Sequence, residues 1–211
     1  MILTPEQWAM LNPLTFDGSR VHIRPIQAPD VDVLWDINGR ENVSKNFATW
    51  PFPRSRDYVE RRVAGMRWKN GWSCGFAIDV PETGMIGSIG FGSPSQGGKQ
   101  DMEIGYGLHP DLWGKGYTTE ATGLICEYLF QRYPIEKITA YANIDNIGSQ
   151  RVLEKCGFQN VGEEDQKSPH GVLWTAFIGL NAIAHNTNAC RLVPARVLTY
   201  ATKRIEPEAQ T

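Results

Sequence analysis

The chain has 211 residues, 41% of them hydrophobic, which is enough for one well-packed domain plus an extension. Its formal net charge is -2 and it has no long basic run, which speaks against nucleic acid as a partner. No stretch approaches the roughly 20 apolar residues that cross a bilayer, and the opening Met1–Glu6 lacks the basic-then-apolar pattern of an export signal.

Residues 1–19 read as a surface arm. Arg20–Ile26 alternates Val21 and Ile23 with His22 and Arg24, the pattern of a first strand. Asp30 and Asp32 open a short helix with Val33, Leu34 and Ile37 inward, stopped at Gly39. An irregular loop follows over 40–54. Ser55 caps a second helix on which Val59, Val63 and Met66 share a face. Trp72–Asp79 and Met85–Gly92 form a hairpin around Pro81–Gly84, and Ser93–Gln100 reads as a flexible loop. The central strand is Met102–Leu108, with Met102, Ile104, Tyr106 and Leu108 on one face and Glu103, Gly105 and Gly107 on the other. His109-Pro110-Asp111 ends it. Gly114-Lys115-Gly116 then opens a helix whose apolar face is Ala121, Leu124, Ile125, Tyr128 and Leu129. A strand over Lys137–Ala142, a helix capped by Asn146 and stopped at Gly157, and strands Phe158–Glu163 and Val172–Leu180 complete a domain over 20–180.

Residues 181–211 form a C-terminal extension. It reads either as a helix after Pro194, packed on the domain or on the second subunit of a homodimer, or as a frayed end. The four cysteines and four histidines share no metal-ligand spacing. No metal is expected, and the thiols read as reduced and structural in a cytoplasmic protein. Asn42-Val43-Ser44 is a formal glycosylation sequon that carries little weight without an export signal.

The order strand, glycine-rich turn, helix has a physical consequence. Several unpaired backbone N–H groups point at one spot, and the helix dipole adds partial positive charge there. The glycines clear the side chains away, which leaves a cradle for phosphate. The competing reading is an ordinary tight corner. Two better-known phosphate motifs do not fit: the spacing from Gly92 to Gln100 is wrong for a P-loop, and Thr119 stands where a dinucleotide fingerprint has its third glycine.

A second stretch supports the cradle, Asn143, Asn146 and Ser149 followed by Arg151-Val-Leu-Glu-Lys-Cys-Gly-Phe158. With Glu103-Ile-Gly-Tyr106, His109-Pro110 and Trp113-Gly-Lys-Gly-Tyr-Thr-Thr-Glu-Ala121, it resembles the acetyl-CoA-binding core of the GNAT superfamily of N-acetyltransferases. The RimJ/RimL branch, which acetylates protein N-termini and in many relatives small amines, is the nearer likeness. The resemblance is best over 72–180 and looser over 15–71.

It implies an α/β (α+β) fold, a mixed and mostly antiparallel central sheet flanked by helices, with a V-shaped splay between the two central strands. The pantetheine arm of acetyl-CoA would enter that splay like an added strand, and Gly105 and Gly107 would form a bulge there. Backbone groups of Tyr106, Gly107 and Leu108 would hold the thioester carbonyl. Trp113, Gly114, Lys115, Gly116, Tyr117 and Thr118 would meet the diphosphate, and Asn143 and Asn146 the pantetheine amides. Capping is the rival role for Asn146, and a solvated surface lysine for Lys115.

The chemistry follows from the thioester. A free alkylamine near neutral pH is mostly protonated and attacks only when neutral. The site needs a base, an oxyanion donor and an acid for the thiolate. Glu103 is the candidate base, through a water, against the alternative of a surface carboxylate on a half-exposed strand. Ser149 matches the serine that RimL-like relatives use as thiolate acid, with a capping-box hydroxyl as its rival. The chain departs from the wider pattern at two positions. Glu154 stands where many members carry a tyrosine as acid, and Trp113 where other branches carry an arginine. Trp35, Trp50, Phe52, Trp68 and Trp72 read as core or as walls of an acceptor pocket. The implied activity is acetyl transfer to a primary amine. The alternative from another class is a catalytically inactive acyl-CoA-binding or sensing module.

Overall fold

A computed structural model describes residues 14–47, 50, 55–66, 74–92, 101–133, 135–164 and 174–180. Its elements in chain order are β1 (Phe16–Asp17), β2 (His22–Pro25), α1 (Val31–Gly39), α2 (Glu41–Ser44), α3 (Arg56–Met66), β3 (Cys74–Val80), β4 (Gly84–Gly92), β5 (Asp101–Leu108), α4 (Tyr117–Arg132), β6 (Lys137–Asn143), α5 (Ile147–Lys155), β7 (Gln159–Glu164) and β8 (Trp174–Leu180). The strands form one sheet in the order β1-β2-β3-β4-β5-β6-β8-β7. Every pair is antiparallel except β5 with β6. That parallel pair needs a crossover, and α4 supplies it.

The sheet is covered on both faces. On one side α4 buries Ala121, Leu124, Ile125, Tyr128 and Leu129 against Phe76, Ile78, Met102, Ile104 and Ile138. These are the helical positions that the apolar spacing predicts. On the other side α1 and α3 bury Val31, Leu34, Val59 and Val63 with Ile26, Trp50 and Ala77. Strand β3 is therefore buried on both faces, which explains its apolar run from Phe76 to Ile78. Between β2, β3 and the turn before α1, Arg24 donates to both Asp30 and Asp79, at 2.8 and 2.7 Å. The Asp30 hydrogen bond is the largest of the effects that raise the Arg24 pKa against the opposing cost of burial.

Three expectations change. Residues 14–19 are not part of an arm: Phe16 is 2% exposed, packs edge-on against Phe76 and Tyr128, and pairs with Ile23 in β1. Two residues of strand are too short to carry an alternating pattern, so the sequence hides them. The loop expected over 40–54 contains the helical turn α2. Finally, β4 and β5 pair in regular register through Gly105 and Gly107, so no bulge lies there. The irregularities fall between β3 and β4 at Ile78/Asp79 and between β7 and β8 at Asn160/Gly162. Met66's side chain, Phe52, Trp68, Trp72, Ser93–Gln100, residues 1–13 and the extension over 181–211 lie outside the described residues.

Candidate active site

The parallel pairing of β5 with β6 covers four positions, Asp101–Ile104 against Lys137–Ala140, and stops. Beyond it, Tyr141–Asn143 pairs only with β8, while Gly105–Leu108 pairs only with β4. The two strands therefore part into a wedge, in which no further strand among the described residues pairs between them. At the closed end Thr139 Oγ1 donates to Met102 O at 3.2 Å, and Lys137 Nζ lies 3.2 Å from Asp101 Oδ2.

At the end of β5 a short 3-10 turn over Pro110–Leu112 is capped by the His109 ring, whose Nδ1 accepts from Asp111 N. Trp113 N–H is consumed in this turn by Pro110 O at 3.0 Å. Its indole donates to Leu108 O at 2.9 Å, with the residue about half exposed. The row of donors expected from Trp113 onward therefore begins one residue later. Gly114 and Gly116 take φ of +75° and +84°, a left-handed conformation that costs other residues about 1 kcal/mol or more. A Cβ at Gly114 would meet nothing within 4 Å. The N–H groups from Gly114 to Thr118 have no acceptor among the described residues, so the corner is an open nest of donors at the start of α4.

The turn between β1 and β2 braces this corner. Arg20 Nη1 donates to Lys115 O at 2.8 Å and Nε to Glu120 Oε2 at 2.9 Å, and the guanidinium lies over the Tyr117 ring at 5.3 Å. Ser19 Oγ and Arg20 N–H both donate to Glu120 Oε1. Burial works to raise the Glu120 pKa, but these hydrogen bonds outweigh it and hold the carboxyl below its ordinary value.

Across the wedge, Asn146 caps α5 by accepting from Ser149 N–H at 3.1 Å. Asn146 N–H is satisfied by Asn143 O at 2.8 Å, so Ser149 does not complete a capping box. Its hydroxyl instead lies 2.9 Å from the Tyr106 hydroxyl, which also reaches Ser149 O at 3.2 Å. Burial pushes the Tyr106 phenol well above its ordinary value, so it stays protonated near neutral pH. Asn143 is buried and its Oδ1 accepts from Asp145 N–H. The Nδ2 groups of Asn143 and Asn146 have no partner among the described residues.

Glu103 is half-buried and stands in register between Gly92 and Thr139. It shares its face of β5 with Gly105 and Gly107. Phe47 covers that face so closely that a Cβ on Gly107 would lie 2.3 Å from the ring. Trp50 is core, 3% exposed against Ile26, Leu34 and Val59, and Trp35 packs half-buried on the same cluster. Asp36 on α1 approaches His109 Nε2 at 3.5 Å. Cys156 is buried with its thiol donating to Thr119 O, and burial pushes the Cys74 thiol up to about 12, so Cys74 presents no thiolate. Among the described residues, no group of His, Cys, Asp and Glu is arranged to hold a metal ion, and no helix is long and apolar enough to cross a membrane.

The structure thus brings Tyr106–Leu108, Asn143, Asn146 and Ser149 to one wedge, with Glu103 on the paired part of β5 next to it and Gly114–Thr118 at the strand's end. Three contributors are not visible in the sequence. Arg20 acts on a carbonyl 95 residues away. Phe47 meets Gly107 from another element. The Tyr106 hydroxyl meets Ser149 only after the α4 crossover. No local pattern signals any of them.

A family profile described as "Acetyltransferase (GNAT) domain" matches residues 20–159. Among curated proteins, the chain is 30% identical to an uncharacterized N-acetyltransferase, p20, of Bacillus licheniformis over 70% of this chain and 84% of the relative. It is 37% identical to the uncharacterized N-acetyltransferase YjdG of Bacillus subtilis over 67% and 88%. A GNAT-family acetyltransferase structure from Bacillus anthracis superposes with TM-score 0.68 at 22% identity, covering 80% of this chain and 99% of that one. RimL, a ribosomal L7/L12 α-N-protein acetyltransferase solved with coenzyme A, gives 0.68 at 16% identity, covering 80% and 99%.

Proposed function

Because the chain belongs to the GNAT family of acetyltransferases and is thereby an acetyl-CoA-dependent acyltransferase, we propose that it acetylates a primary amine, on a protein N-terminus or a small molecule, by direct attack on the thioester. The observation that carries this reading is the wedge between β5 and β6, where the edge of Gly105–Leu108 facing β6 has no strand on it among the described residues, beside an open nest of N–H donors. The two amides of a pantetheine arm match such an edge, and a diphosphate matches the nest.

In this reading the arm lies along Gly105–Leu108, and Asn143 and Asn146 donate to its amides. Backbone groups around Tyr106–Leu108 hold the carbonyl oxygen as it gains charge. Gly114, Lys115, Gly116, Tyr117 and Thr118 take the diphosphate, with Trp113 at the rim. Glu103 accepts the amine proton through a water, from the face opposite the apolar side of β5. Ser149 protonates the departing thiolate. The amine class is supported by the range of structural neighbours, which include an α-N-protein acetyltransferase and a spermidine N-acetyltransferase.

The test is thiol release from acetyl-CoA with a panel of peptide N-termini and polyamines, the acetylated product being identified by mass spectrometry. Turnover with at least one amine is expected. Acetyl-CoA binding without turnover on any amine supports an idle binding module and overturns the proposal.

A further inference from the structure

This inference rests on the reading of Ser149 as the thiolate acid. Position 154, where many relatives carry a tyrosine, holds an exposed glutamate. A phenol nevertheless stands at this end of the wedge, carried by β5. Tyr106 Oη lies 2.9 Å from Ser149 Oγ and 3.2 Å from Ser149 O.

A serine hydroxyl has one proton to give. Were it spent on a neighbour, it could not reach a sulfur, and a capping box would claim one of the serine's lone pairs. Asn143 O already serves the Asn146 amide, so the helix makes no claim on it. The phenol also has one proton and two places to put it. Placed on Ser149 O, it leaves the phenol oxygen to accept from serine, which turns the serine proton away from the wedge. Placed on Ser149 Oγ, it fills a serine lone pair and frees the serine O–H to point elsewhere. Rotation of two hydroxyls interconverts the arrangements.

We infer that Tyr106 is the positioning residue of the acid step, holding Ser149 Oγ by a donated hydrogen bond so that the serine proton faces the leaving sulfur. As the C–S bond breaks, its electron pair goes to sulfur. The Ser149 O–H bond breaks and an S–H bond forms. The negative charge left on Oγ is met by the Tyr106 hydrogen bond, and the phenol keeps its proton. Serine regains a proton through water from Glu103, the base that takes one from the acceptor nitrogen as the amide forms. One proton leaves nitrogen, one arrives on sulfur, and both hydroxyls are restored.

The experiment is steady-state kinetics of Tyr106→Phe, Ser149→Ala and the double variant with acetyl-CoA and the best amine of the panel. Tyr106→Phe should lower kcat about tenfold, the scale of one hydrogen bond, with KM for acetyl-CoA within about twofold. The double variant should be no slower than Ser149→Ala alone, because the phenol acts only through the serine. Equal rates for Tyr106→Phe and wild type, or losses that multiply in the double variant, overturn the inference while the function stands. Wild type that acetylates no amine overturns the function itself. Should Tyr106→Phe fold poorly, difluorotyrosine at 106 keeps the shape and ionises at lower pH. It should move the alkaline limb of kcat down, since a phenolate cannot donate, and an unmoved limb refutes the role.

Discussion

Arg20 donates through Nη1 to the carbonyl oxygen of Lys115 at 2.8 Å, between the two left-handed glycines of the nest. The same guanidinium reaches Glu120 one turn into α4. A glycine-rich corner is pliable, and here the turn before β2 holds it in shape. Arg20→Ala should therefore raise KM for acetyl-CoA about five- to tenfold, the worth of one charge-assisted hydrogen bond, with kcat changed less than about twofold. Initial rates over an acetyl-CoA series check the split.

The Glu120 half of this latch titrates. Its carboxyl sits below its ordinary value in the folded protein. Its contribution to stability is thus complete above the unfolded value near about 4.3 and is lost as pH falls through the lower, folded value. The difference in unfolding free energy between wild type and Glu120→Gln should be constant from neutral pH to about 5 and shrink below about 4. Denaturant titrations at stepped pH measure it.

Glu103→Gln keeps the shape of the side chain and removes its basicity. If Glu103 collects the amine proton through water, kcat should fall at least about 100-fold, while calorimetry gives an unchanged acetyl-CoA affinity. An undiminished rate would move the base elsewhere.

Gly107→Ala tests close packing. The added methyl would meet the Phe47 ring at 2.3 Å, and overpacking of this kind costs about 1–3 kcal/mol. A lowered Tm is expected, with partial recovery on adding Phe47→Leu.

Arg24→Met should cost about 3 kcal/mol, because it takes the guanidinium away from Asp30, which is only 6% exposed. Combining it with Asp30→Asn should recover part of that loss. Chemical unfolding of the single and double variants reads both values.

Much of this architecture was legible because the signals are local. The faces of α4 and β5 follow from spacing alone, and Asn146 is a cap by residue type as well as by geometry. The wedge itself came from resemblance, since no sequence pattern states where two parallel strands cease to pair. The glycines of β5 were misread for a related reason. Gly107 is small because an aromatic ring from a distant loop sits on it, and a bulge and a close contact ask for the same residue. Phe16 and Arg20 were misplaced or passed over because burial and partner choice at those sites are set by elements far along the chain.

β5 and β6 are joined like shears, fastened at one end by four rungs, the Thr139 hydroxyl and the Lys137–Asp101 pair, and free at the other. Such a lever magnifies what happens at its pivot. At about 3.3 Å of strand per residue, a small tilt among the fastened rungs becomes a larger change in separation between the blade tips at Leu108 and Asn143. Thr139 and Lys137 touch neither the thioester nor the amine in the proposed arrangement. Substitutions there would nonetheless be felt as a change in how wide the blades stand apart, and so in which acyl chains they can grip.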